Sequence, residues 1–172
     1  MKRFLVIAGI MMGCMFGFSD ISQAAPRIGI EGTLGKSSLG VVLYEDTYSG
    51  GVFFGQEQDE ALTVQRSTTT VGAWAGLRHK LEARLFFNYG VNAYLRTGVV
   101  KAASKPGEPG TAKDLEIFGI SPFIGFDYEA TPHFLLTAWC NLYDYNTANI
   151  KTVAASTTTS IFQSYAGIVY LF

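Results

Sequence analysis

The chain has 172 residues with 13 basic against 14 acidic side chains, and this balance without any basic stripe excludes a nucleic-acid-binding protein. Hydrophobic residues make up 48%, with 9 Tyr, 13 Phe and 19 Gly. Aromatic and glycine content of this kind without helical periodicity points to an all-β chain, and the length suits one domain.

The first segment, residues 1–24, reads as an export signal. Lys2 and Arg3 supply the positive start, Phe4 to Phe18 is largely apolar, and Ser22-Gln23-Ala24 offers small residues for cleavage before Ala25. The apolar stretch is short for a membrane anchor. Cys14 follows Met11-Met12-Gly13 and continues into apolar Met15 to Phe18, a poor context for lipidation. Residues 25–172 then form the processed chain, 148 residues with 11 basic and 13 acidic side chains. Cys140 is its one cysteine, which excludes an intramolecular disulfide and a thiolate metal cluster.

From residue 26 onward the organising signal is alternation. Arg27 to Gly35 sets Ile28, Ile30 and Leu34 against Glu31 and Thr33. Leu39 to Tyr44 and Gly51 to Gly55 read as two shorter strands, followed by a polar loop from Gln56 to Arg66. A strand over about 67–78 leads through a short turn near His79-Lys80 into the clearest element, about 83–100. There Leu85, Phe87, Tyr89, Val91, Ala93 and Leu95 share one face, while Arg84, Asn88, Asn92 and Arg96 share the other. Lys101 to Ala112 contains Lys105-Pro106-Gly107-Glu108-Pro109-Gly110 and reads as a loop.

The strand over about 113–128 carries Phe118, Ile120, Ile124, Phe126 and Tyr128 on one face. Pro122 shares that face and, lacking a donor, suggests a bulge. The turn Glu129-Ala130-Thr131-Pro132 opens a strand over about 133–145, and polar Asn146 to Ser156 separates it from a last strand over about 157–172. The total is eight strands. Turns near 79–82 and 129–132 are tight, whereas segments near 56–66, 101–112 and 146–156 are longer, the end-to-end asymmetry of an outer-membrane barrel. The short turns and both chain ends then lie on the periplasmic side.

A charge at mid-membrane on a lipid-facing strand position costs roughly 2–4 kcal/mol. Glu31, Arg84, Arg96 and Asp127 all fall opposite the apolar stripes. With Asn88, Asn92 and Asn141 they form the expected lumen-facing polar network, alongside Trp74 and Trp139 at the same parity. Eight strands leave room inside for side chains or one small ligand, so these charges are expected to neutralise one another in a filled lumen. Tyr128, Tyr143, Tyr145, Phe134, Phe162, Tyr170 and Phe172 suit two aromatic girdles. Glu57, Asp59 and Glu60 match no calcium-loop spacing and read as a solvated cluster. A soluble β-barrel shows the same alternation with the faces exchanged; the signal segment, the strand lengths and the terminal aromatic favour the membrane.

The ending Tyr170-Leu171-Phe172, with Ile168 at the preceding alternate position, resembles the C-terminal assembly signature of bacterial outer-membrane proteins. Phe126-Asp127-Tyr128-Glu129-Ala130-Thr131-Pro132-His133-Phe134 is similar to the strand–turn–strand segments of small barrels of the OmpA/OmpX type. The resemblance implies an eight-stranded antiparallel up-and-down transmembrane β-barrel. It further implies recognition by the barrel-assembly machinery through Ile168, Tyr170 and Phe172. The expected function is an integral outer-membrane protein with a structural or surface-interaction role. Its expected partners are outer-membrane lipids and that machinery; no enzymatic activity, cofactor, metal or nucleic acid is expected. Two alternatives remain: a small channel or a lipid-modifying enzyme using His79 or His133, and a secreted soluble barrel for a small apolar ligand.

Overall fold

The computed structural model describes residues 25–34, 37–61, 64–102, 110–150 and 153–172. The expected export signal over 1–24, including Cys14, and most of the loop rich in Pro and Gly lie outside the described residues. Eight strands follow in order: β1 Arg27–Leu34, β2 Ser37–Tyr44, β3 Tyr48–Ala61, β4 Val64–Lys80, β5 Leu85–Ala102, β6 Thr111–Thr131, β7 Phe134–Ile150 and β8 Val153–Leu171. Each pairs antiparallel with its neighbours in sequence, and β1 closes on β8 from Gly29 opposite Leu171 to Leu34 opposite Ala166. Among the described residues no helix is long and apolar enough to cross a membrane, which has no bearing on strands.

The outer surface explains where such a cylinder is stable. Every strand presents a large apolar side chain outward: Ile30, Val41, Val52, Val71, Val91, Ile124, Leu136 and Ile168 are all exposed. The strand charges Glu31, Arg78, Asp127 and Asp144 point the other way and are buried. In water this arrangement is inverted, whereas in a bilayer it satisfies both faces. Closure matters equally, because an unpaired edge in hydrocarbon leaves backbone donors and acceptors without partners. At the seam a Cβ on Gly29 would stand 2.8 Å from Leu171 Cδ2 and still nearer the Tyr170 carbonyl oxygen, so only glycine lets β1 and β8 approach this closely.

The end carrying the short turns is tied together across strands. Arg27 pairs with Glu129 at 2.5 Å and donates to the Pro132 carbonyl, while Arg84 donates to the Ala130 carbonyl. The Phe172 and Leu171 amides donate to the carbonyls of Ile28 and His133. The opposite end differs from its sequence reading. The polar stretches 56–66 and 146–156 are largely strand: β3 and β4 stay paired from Gln56–Thr69 to Ala61–Val64, and β7 and β8 out to Ile150–Val153. Beyond the bilayer both faces of a hairpin meet water, so hydrophobic alternation vanishes while the backbone ladder continues.

β7 holds an irregularity that redirects side chains in the lumen. Ladder pairs run Ile120–Tyr145 and then Phe123–Asn141, leaving three residues of β7 opposite Ser121 and Pro122. The β5 side stays regular through Val91–Pro122, so the bulge lies on the β7 side. It lets Asn141 and Asp144 both face inward while Tyr143 and Tyr145 face out.

Candidate functional site

The lumen divides into a floor and a cavity. At the short-turn end, Val42 and Tyr44 of β2, Leu135 of β7, and Val169 and Leu171 of β8 form a fully buried apolar cluster, with Trp74 packed on it. These residues share the inward parity of Glu31 and Asp127 and form the apolar part of the floor. Trp74 is gripped edge-on by Tyr44 at 6.1 Å and Phe123 at 5.9 Å between ring centroids.

Beside this cluster lies Arg78, which is 4% exposed. Its Nε stands 3.3 Å from Asp127 Oδ2, an ion pair rather than an aligned hydrogen bond. Its Nη1 donates to the Glu45 carbonyl at 2.8 Å, and its guanidinium lies 3.9 Å over the Phe86 ring and 4.8 Å over Tyr44. The sequence reading placed Arg84 in this role, and the structure corrects it. Arg84 has the right parity but precedes β5, in the bend 82–84, where it is exposed at the rim. Arg78 was legible as the next inward position after Thr70, Gly72, Trp74 and Gly76, at the end of the strand expected over about 67–78; β4 itself runs to Lys80.

Above the floor is a cavity of about 290 Å³. Its wall mixes small polar side chains, Thr33, Ser38 and Thr70, with the rings of Phe53, Tyr94, Trp139 and Tyr165. The expectation of a filled lumen therefore describes only the floor. Glu31, Asn88, Asn92, Arg96, Asp127 and Asn141, all expected in the polar network, line this cavity. Asn92 Nδ2 donates to Asn141 Oδ1 at 2.8 Å, Arg96 Nε to Thr70 Oγ1 at 3.2 Å, and Thr137 Oγ1 to Glu31 Oε1 at 3.3 Å.

Asp144 was not foreseen. The β7 bulge turns it inward, where Oδ2 accepts from Tyr94 and Oδ1 from Ser121, both at 2.8 Å. Tyr94 reaches it by lying across Gly119, where any Cβ would collide with its ring. A parity conflict in the sequence marks the spot: Asn141 needs one face, whereas Tyr143 and Tyr145 need the other.

His79 and His133 are exposed at the short-turn end and take no part in the cavity. His133 Nδ1 contacts the Leu171 carbonyl at 3.0 Å, and its ring stacks on Tyr170. Ile168, Tyr170 and Phe172 point outward from β8, with Tyr170 packed edge-on against Phe134 and Phe172. Cys140 is half-buried and donates weakly to the Asn141 carbonyl. Among the described residues no group of three metal-ligating side chains converges.

No protein-family model matches the chain, and no curated protein does. Among solved structures, Neisserial surface protein A is similar with a TM-score of 0.54 at 15% identity, covering 86% of this chain and 95% of that one. A major outer membrane protein from Thermus thermophilus gives 0.49 at 12% identity over 87% and 100% of the two chains. Ail, the attachment invasion locus protein of Yersinia pestis, gives 0.45 at 12% over 86% and 96%. The likeness to the Neisserial protein is one of fold: this chain is an eight-stranded barrel of the small outer-membrane type.

Removing one member of a buried ion pair leaves the other charge uncompensated, at a cost of about 3–5 kcal/mol. Arg78→Met is expected to lower stability by about that amount, read from urea unfolding in detergent micelles. Arg78→Met combined with Asp127→Leu should recover much of the loss, because both buried charges are then gone.

Proposed function

We propose that the protein is an integral protein of the bacterial outer membrane, closed to ion flow, with a structural or surface-interacting role and no enzymatic activity. The observation that carries this reading is the closed ladder that presents large apolar side chains outward from every strand. The export signal read over residues 1–24 supplies the route, and the likeness in fold to Neisserial surface protein A agrees with the destination. Outer-membrane lipids then cover the apolar belt as its main partners.

Against a channel stands the floor. Val42, Tyr44, Leu135, Val169 and Leu171 are each at most 1% exposed, and the Arg78–Asp127 pair beside them is buried as well, so side chains pack the short-turn end. Against a lipid-modifying enzyme stands the placement of His79 and His133, exposed at the short-turn rim, where among the described residues no hydroxyl nucleophile is hydrogen-bonded to either ring. Against a soluble barrel stands the polarity of the interior, since an apolar ligand finds carboxylates and amides lining the cavity.

The long hairpins β3–β4, β5–β6 and β7–β8 project a polar rim from the opposite end, which suits contact with the cell's surroundings. We assign to Ile168, Tyr170 and Phe172 the stripe read by the barrel-assembly machinery, because it lies on the outward face of the strand that closes the seam.

Two outcomes check these assignments. The protein should sediment with outer membranes and migrate differently before and after heating on a detergent gel, and planar bilayers containing it should stay silent; recovery from soluble periplasm, or discrete conductance steps, would contradict the reading. Replacing Tyr170 and Phe172 together by Ala should reduce the folded fraction in the outer membrane severalfold while leaving export across the inner membrane intact. Normal insertion of that variant would remove the assembly role.

A further inference from the structure

We propose that the cavity above the lumen floor is a binding site for a small organic cation, an alkylammonium solute entering from the side of the long hairpins. The inference goes beyond the outer-membrane reading and concerns only what the lumen holds. At about 290 Å³ the space sits at the low end of ligand pockets, which run roughly 300–1,000 Å³. The apolar cluster closes it below, while Gln56, Glu57 and Gln58 in its wall are exposed at the upper rim. It is therefore a blind pocket with its mouth away from the short turns.

Charge selects the ligand class. Glu31, Glu57, Asp127 and Asp144 line the cavity against a single guanidinium, that of Arg96. Asp127 is answered from below by Arg78, and Asp144 by two hydroxyl donors. Glu31 is different: it is 5% exposed, accepts one hydroxyl hydrogen bond from Thr137 and has no ion pair among the described residues. Asn88, 6% exposed and also in the cavity wall, holds an Oδ1 acceptor with no partner. A buried carboxylate with one hydroxyl donor and no ion pair, together with a buried carbonyl oxygen without a donor, calls for a donor-bearing positive group.

The remaining lining agrees with that group. Trp74, Trp139 and Tyr165 bring aromatic rings to the cavity, and ring faces attract alkylammonium groups. Three of the lining amides are engaged internally, Asn92 with Asn141 and Gln163 with Tyr165. A membrane lipid's ammonium headgroup cannot enter sideways, because the backbone ladder between cavity and bilayer is unbroken around the cylinder. The occupant is therefore a free solute.

The chain's two tryptophans both line the cavity, so intrinsic fluorescence reports on it directly. Choline chloride serves as the probe, titrated at constant ionic strength into the folded, processed protein in a non-ionic detergent. Its neutral isostere 3,3-dimethylbutanol is titrated in parallel. A saturable change with choline and none with the isostere at equal concentration is expected, with affinity about tenfold weaker or more in Glu31→Gln, since the lost partner is a charged acceptor. No saturable change with choline, an isostere response equal to that of choline, or a Glu31→Gln protein that titrates like its parent would each overturn the proposal. Should Glu31→Gln not fold, as judged by its heat-dependent gel migration, Trp139→Leu decides instead, with Trp74 as reporter: retained affinity overturns the proposal and weakened affinity upholds it. None of these outcomes alters membrane fractionation or bilayer conductance, so the outer-membrane reading stands or falls separately.

Discussion

Closure of the backbone ladder is the constraint on which everything else rests. In hydrocarbon an open sheet edge leaves a row of amides and carbonyls without partners, each at a cost of several kcal/mol, so a sheet that crosses a membrane must join its ends. Here the join is β1 against β8, and it is short: six pairs from Gly29–Leu171 to Leu34–Ala166. It needs glycine at Gly29 so that the backbones can meet, and it is braced where the Phe172 amide reaches the Ile28 carbonyl. Arg27, Glu129, Arg84 and the turn carbonyls of Ala130 and Pro132 lash the same rim together.

Once the cylinder closes, strand geometry fixes the division of labour between its faces. Alternate residues belong to lipid or to the lumen, and eight strands give a lumen narrow enough that side chains must be packed like a core. The protein solves this in two ways along one axis. Near the short turns it packs aliphatic and aromatic groups around Arg78, whose charge is met by Asp127 and by the faces of Phe86 and Tyr44. Farther up, small polar side chains alternate with aromatic rings, and a polar cavity remains among them. The β7 bulge belongs to the same solution: by shifting parity it gives Asn141 and Asp144 to the lumen and Tyr143 and Tyr145 to the outside.

Much of this was legible in the sequence, for a physical reason. Inside the bilayer the lipid-facing side of a strand must be apolar, so β5 from Leu85 to Leu95 and β6 from Phe118 to Tyr128 carry an apolar or aromatic residue at every outward position. Above the bilayer both faces meet water, and the extensions of β3, β4, β7 and β8 looked like loops because nothing in their side chains reports the ladder. Arg84 was misplaced since parity says which way a residue points but not whether it lies within the barrel. Asp144 was hidden by a bulge that Pro122 announces on the neighbouring strand. The floor escaped notice because Val42, Leu135 and Val169 are apolar inward residues, which an interior read only for polar groups passes over.

The central claim is that the apolar face of this cylinder meets lipid and the polar face does not. Single nitroxide labels placed in turn from Ile120 to Asp127, in a Cys140→Ser background and in lipid vesicles, test it most directly through collision with oxygen and with a water-soluble nickel chelate. High oxygen and low nickel accessibility is expected at Ile120, Pro122, Ile124 and Phe126, alternating with restricted access to both at Ser121, Phe123, Gly125 and Asp127. High nickel accessibility at the first set, or no alternation at all, would contradict it.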